Sequence, residues 1–121
     1  MRQAIQTEAD FETGLERVTE EYVVEMCGER VVVPVGFEFN GSSIPRAFWW
    51  LAGSPFTPRY RQASGVHDRL YETHDVDRKI ADRIYAAILI RDGVSPNMAA
   101  LHYNAIRLFG WIAWRRVDVQ S

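Results

Sequence analysis

The polar residues that could do chemistry crowd into one stretch, Val66-His67-Asp68-Arg69-Leu70-Tyr71-Glu72-Thr73-His74-Asp75-Val76-Asp77-Arg78-Lys79-Ile80-Ala81-Asp82. An imidazole can ligate a metal or move a proton near neutral pH, and a neighbouring carboxylate can orient it. His67, Tyr71 and His74 stand at i, i+4 and i+7, so a helix that runs far enough puts them on one side. Two kinds of site follow. A divalent metal would draw on His67, Asp68 and His74, with Asp82 arriving from the next helix. An acid–base site would use His67, Asp68 and Asp82. Neither zinc spacing, H-E-x-x-H or C-x-x-C, occurs, so no cofactor is named by a motif. The same residues also read as ordinary structure. His67 adjoins Val66 on an apolar face, Asp77 can cap a helix, and Asp82 can pair with Arg78 or with an arginine from another element.

Other nucleophile candidates are weaker. Ser42 and Ser43 lie in no G-x-S-x-G elbow, and Ser43 is placed to cap a helix that starts at Pro45. Gly41 belongs to neither a Walker pattern nor G-x-G-x-x-G. Cys27 sits at a hairpin turn with no basic neighbour before Arg30 to activate a thiolate.

These residues need a scaffold, and the chain changes character near residue 42. Residues 1–42 read as β. Val18, Glu20, Tyr22, Val24 and Met26 alternate with Thr19, Glu21, Val23 and Glu25, Cys27-Gly28-Glu29 turns, and Arg30 to Val33 returns. Pro34 ends that strand. Gly36 to Phe39 is a further short strand, and Ala4 to Phe11 is an edge strand or an arm. Residues 43–121 read as α. Ala47 to Ala52 form a short aromatic helix. Arg59 to Thr73 form a longer one with a stripe of Ala63, Val66, Leu70 and Tyr71. Asp77 caps Arg78 to Asp92, and Gly93 ends it at C′. Ser95-Pro96 starts the last helix, whose expected buried seam is Met98, Leu101, Ala105, Leu108 and Ile112. The expectation is one α+β domain over 1–121: a small antiparallel N-terminal sheet, with a hairpin over about 16–39, against a C-terminal half of three to four helices.

Gly65 lies inside a helix, where glycine costs ~1 kcal/mol relative to alanine, so a close neighbour is expected there. The Asn40-Gly41-Ser42-Ser43 loop is a fitting visitor. Docked on Ser64, Gly65 and Asp68, it would bring Asn40 and Ser43 to Asp68 and Asp82. A second surface is aromatic. Trp111 and Trp114 lie off the expected seam, and with Arg107 and Arg115 they make a patch of the composition enriched at protein interfaces. The competing reading has the tryptophans closing the core.

Composition bounds the rest. The chain has 121 residues, 47% of them hydrophobic and 25% charged, which fits one folded domain and argues against disorder. A single cysteine excludes an internal disulfide. The N-terminal residues lack the apolar core of a signal peptide, and no apolar run approaches the ~18–20 residues of a membrane span. The formal net charge of −2 makes nucleic acid an unexpected partner. That charge is split: residues 1–42 hold three Arg and nine acids, and residues 43–121 hold eleven basic groups and seven acids. Opposite ends could pack head to tail in an oligomer, or attract one another within the molecule.

Several motifs occur in order: Val33-Pro34-Val35-Gly36-Phe37-Glu38-Phe39-Asn40-Gly41-Ser42-Ser43-Ile44-Pro45-Arg46, then Phe48-Trp49-Trp50-Leu51, Val66-His67-Asp68-Arg69-Leu70-Tyr71 and Asp77 to Tyr85. Together they resemble the domain-of-unknown-function family numbered 1353, found widely in tailed bacteriophages and prophages. The resemblance implies a phage or prophage origin, synthesis in a bacterial host's cytoplasm and, for one class of role, incorporation in the virion. It implies no activity. Relative to the family pattern V-P-x-G-F-x-T-D-x-A-S-I-P-R, Phe39 replaces Thr, Asn40 replaces Asp and Ser42 replaces Ala. Asn cannot act as a general base and is a poorer ligand for hard metals. Two functions therefore stand as expectations: an accessory protein that binds a virion or host protein, and a small metal-assisted or acid–base hydrolase on His67, Asp68 and Asp82.

Overall fold

The structure, a computed structural model, describes residues 4–10, 12–40 and 58–120, with side chains to residue 115. Among these, five short strands precede four helices in an α+β arrangement. The aromatic helix expected over 47–52, with Trp49 and Trp50, lies outside the described residues. So does Ser43.

The strands form two antiparallel units. β1 (Thr7–Asp10), β2 (Leu15–Val18) and β5 (Glu38–Phe39) make one sheet in the order β1-β2-β5, and β3 (Tyr22–Met26) pairs with β4 (Glu29–Val33). The β3–β4 turn follows from its two central residues. Cys27 and Gly28 have φ of 55° and 78°, and the flanking pair is Met26 with Glu29, so this is a two-residue hairpin turn of the type that needs positive φ twice. Period-two alternation then sends Tyr22, Val24, Val31 and Val33 inward, while Glu25 and Arg30 face water.

The expected single strand from Val18 to Met26 is broken. Val18 accepts from Gly36 N at 2.8 Å and donates to Phe37 O at 2.8 Å, which ties it to the three-stranded sheet. The chain then bends through Thr19 and Glu20 before β3 begins. Alternation persists across that bend, so polarity alone does not reveal it.

The helices α1 (Pro58–Thr73), α2 (Arg78–Arg91), α3 (Pro96–Phe109) and α4 (Trp111–Gln120) pack mainly α1 on α2 and α2 on α3. Their ends are chemically explained. Gly93, at φ 100°, ends α2: Val94 N bonds Leu89 O and Gly93 N bonds Ile90 O, the paired bonds of a Schellman stop. Ser95 Oγ accepts from Met98 N at 3.2 Å with Pro96 at the first helical position. Asp77 occupies the N-cap of α2 with extended backbone, but its side chain makes no capping bond.

Two observations join the halves. Gly65 of α1 does meet a close neighbour: a Cβ there would stand 3.0 Å from the Ile5 side chain and 3.3 Å from the Phe39 ring. Among the described residues the neighbours are thus Ile5 and Phe39, the residue just before Asn40; Asn40 itself is exposed, and the remainder of the expected loop lies outside the described residues. Across the same junction Arg61 pairs with the buried Glu16 at 3.1 Å, and Arg91 donates to Tyr22 Oη at 2.9 Å. The acidic and basic halves are therefore linked internally. Adding volume at Gly65 would push α1 off the sheet. Gly65→Val is expected to lower stability by about 1–3 kcal/mol. A fall in the urea midpoint at unchanged slope would show it, and an unchanged midpoint would refute the contact.

Candidate functional site

The sequence cluster converges on one carboxylate, Asp82 of α2. Its side chain is fully buried. His67 and Tyr71 reach it from α1, Arg78 from its own helix and Arg107 from α3. The i, i+4 step from His67 to Tyr71 stacks both rings over Asp82 Oδ1, at 2.7 Å from His67 Nε2 and 2.6 Å from Tyr71 Oη. Arg107 donates to Oδ2 at 2.7 Å, and Arg78 approaches the same oxygen at 3.4 Å.

A carboxylate has about four acceptor positions, and four donors surround this one. An ionised carboxylate only accepts, so the proton on His67 lies at Nε2. Burial alone would push the Asp82 carboxyl up. The hydrogen bond from His67, with the bonds from Tyr71 and Arg107, outweighs burial and holds it below its ordinary value. Tyr71 moves the other way. Burial, then its bond to the Asp82 anion, pushes its hydroxyl well above the usual phenol range.

The arginines do a second task. Arg78 also donates to Ile106 O at 3.0 Å and to Arg107 O at 3.3 Å, satisfying carbonyls in the last turn of α3. The neighbouring Gly110 is small for a reason: a Cβ there would run into the Ile106 carbonyl oxygen and would lie 2.6 Å from Tyr71 Oη and 3.2 Å from Arg78 Nη1. The knot therefore binds α1, α2 and the α3–α4 junction together.

Several expected site residues stand elsewhere. His74 does not join His67, because α1 ends at Thr73 and His74 adopts φ 56°. Its ring instead stacks on Trp114, 3.6 Å between centroids and 4° from parallel, while Tyr71 meets Trp114 edge-on. The metal set His67, Asp68 and His74 is thus not assembled. Among the described residues, no three His, Cys, Asp or Glu side chains gather as a metal-holding group. Asp68 is buried, and its charge acts on the Tyr85 hydroxyl. Arg107 is committed to Asp82 and is no free surface cation, and Trp114 is half-buried in ring contacts. Of the expected aromatic–arginine patch, Trp111 and Arg115 remain exposed.

The largest departure concerns the face of α3. Its expected buried seam points largely to solvent: Leu101, Leu108 and Ile112 are 44%, 66% and 46% exposed. The inward face is Ala99, His102, Ile106 and Gly110. Hydrophobic periodicity selected the oilier stripe, whereas the packed stripe carries small residues and a histidine. His102 was not foreseen as a site residue. It is 2% exposed, with Nδ1 2.8 Å from Tyr85 Oη and the Tyr60 ring tilted over it at 5.0 Å. Its only sequence signal is its register, three residues after Ala99 and four before Ile106.

Three outcomes test this geometry. Asp82→Asn keeps the shape but cannot accept from four donors, so it should cost about 3–5 kcal/mol in urea denaturation. A cost under about 1 kcal/mol would contradict a knot. Gly110→Ala should also destabilise, because its methyl would crowd the Ile106 carbonyl as well as Tyr71 and Arg78. Acid should loosen the fold earlier than carboxylates alone would. Burial pushes His102 down to about 4 from an ordinary 6.5, so between these values the unfolded chain takes up a proton that the folded chain refuses. Stability then falls as pH drops from 6.5 toward 4, and Asp82 adds a further loss below 3.8. Urea midpoints at pH 7.5 and 4.5 should differ strongly in the wild type and less in His102→Asn.

The chain is 33% identical over 78 residues to "Uncharacterized protein y4jT" of Sinorhizobium fredii, an alignment covering 64% of this chain and 23% of that protein. The chain thus spans under a quarter of that relative's length. No solved structure matches. The family model described as "Protein of unknown function (DUF1353)" matches residues 16–106, which takes in β2 through most of α3 and every donor to Asp82 except Arg107. The chain belongs to the DUF1353 family.

Proposed function

We propose that this chain is a small accessory protein that works by protein–protein binding, encoded by a phage or prophage and serving as a virion or tail component or as a ligand of a host protein. The observation that carries the reading is the outward apolar face of α3 and α4. Leu108, Phe109, Trp111 and Ile112 are all exposed around the Gly110 junction, and Arg115 lies beside them. Large apolar side chains grouped on one exposed face, with aromatics and arginine among them, mark contact surfaces. The rigid knot beneath holds that face in one orientation. A domain that also occurs as under a quarter of a longer bacterial protein suits modular use.

The alternative is a small metal-assisted or acid–base hydrolase centred on His67, Asp68 and Asp82. It has the 2.7 Å His67–Asp82 contact in its favour. A general base, however, needs a lone pair that reaches water or substrate. Both oxygens of the buried Asp82 carboxylate already accept donors, so the binding reading accounts for more of the geometry.

Substituting the exposed face separates the two. Leu108→Glu with Ile112→Glu should leave the thermal midpoint within a few degrees and abolish stoichiometric co-purification with a partner during infection or prophage induction. If the doubly substituted protein stays folded and its partners are unchanged, binding does not run through this face.

A further inference from the structure

The apolar face has an internal pattern that names its occupant. Met98, Leu101, Ala105, Leu108 and Ile112 follow one another at alternating steps of three and four. That is the a/d spacing of a helix packed lengthwise on another helix. The chain crosses Gly110 in right-handed helical conformation, with Gly110 N bonded to Ile106 O and Trp114 N to Gly110 O, so the stripe runs on into α4. Within this molecule the stripe is only partly covered among the described residues. Leu101, Leu108 and Ile112 are exposed, and Met98 and Ala105 are half-buried at its border.

We propose that a second copy of this chain covers this face, its α3–α4 stripe lying antiparallel on the first about a twofold axis. The proposal rests on the binding reading and names the partner. Three observations select this occupant. First, the stripe is complementary to itself in reverse. When Met98 is set opposite Arg115, Leu101 meets Ile112 of the second copy and the small Ala105 meets the large Leu108, with the same pairs repeated across the axis. Such self-complementarity is what a twofold contact requires. Second, charge selects the direction. Arg115 takes the next position of the stripe. A parallel pair would put two Arg115 side by side, whereas the antiparallel pair separates them by roughly 25 Å at 1.5 Å per residue. Third, the area suffices. Leu101, Leu108, Phe109, Trp111 and Ile112 are about half exposed. At ~150–250 Å² per large side chain, they offer roughly 500 Å² per copy, or about 1,000 Å² in all, the lower bound for a specific interface.

Sedimentation velocity on the purified chain tests the pairing, with circular dichroism melts confirming that each variant is folded. The wild type should sediment as a dimer in the micromolar range. Leu108→Glu should raise the dimer dissociation constant more than tenfold, and Ala105→Leu should weaken it by crowding Leu108 of the second copy. A wild type that stays monomeric at 100 micromolar overturns the proposal, as does a dimer indifferent to both substitutions. A photo-crosslinker at position 108, activated in cells, separates this failure from failure of the binding reading. An adduct of twice the chain mass supports the second copy. An adduct with a different protein overturns it while leaving protein binding intact, and the absence of any adduct overturns both.

Discussion

The fold turns on one buried anion. Asp82 lies within the helical layer, where a lone carboxylate would be too costly to keep charged. It stays charged because His67, Tyr71, Arg78 and Arg107 aim four donors at its two oxygens. Those donors come from three helices, so satisfying the anion fixes α1, α2 and α3 at one mutual geometry. Hydrophobic burial of Val66, Leu70, Ile84 and Ile88 drives these helices together, but it would tolerate small rotations. The directional bonds do not, and the crowding of Ile106 O, Tyr71 and Arg78 leaves room only for glycine at 110.

That constraint shapes the surface. Arg107 must turn inward to reach Asp82, and Arg78 must reach the carbonyls of Ile106 and Arg107. With those contacts made, α3 presents His102 and Ile106 to the interior. Leu101 and Leu108 are then left outside. The outward apolar stripe is thus a consequence of the polar interior. A cluster that looks catalytic in sequence acts as the fastener, and the residues that look like core form the candidate contact face.

Much of the fold was legible in the sequence. The Cys27-Gly28 turn, the Gly93 stop and the Ser95-Pro96 start all depend on local chemistry, and each lies where the residue types placed it. The family was legible too, from motifs spread along the chain. Three features were not. The bend after Val18 depends on hydrogen bonds to Gly36 and Phe37, distant in sequence. The inward face of α3 depends on a histidine packed between two tyrosines, which a hydrophobicity pattern discounts. The roles of His74 and Trp114 depend on where α1 ends and on a ring stack between separate elements. In each case a tertiary partner decides, and local residue type does not encode it.

Hydrogen exchange at a single atom tests the fastener most directly. The proton on His67 Nε2 is bonded to Asp82, and neither of these two side chains is exposed to solvent. Nuclear magnetic resonance of the imidazole should show it as a persistent signal that exchanges only through global unfolding, with the same opening free energy as the slowest core amides. Exchange at the rate of a solvent-accessible imidazole would mean that the cluster opens in the native state, as an active site must, and would contradict a structural knot.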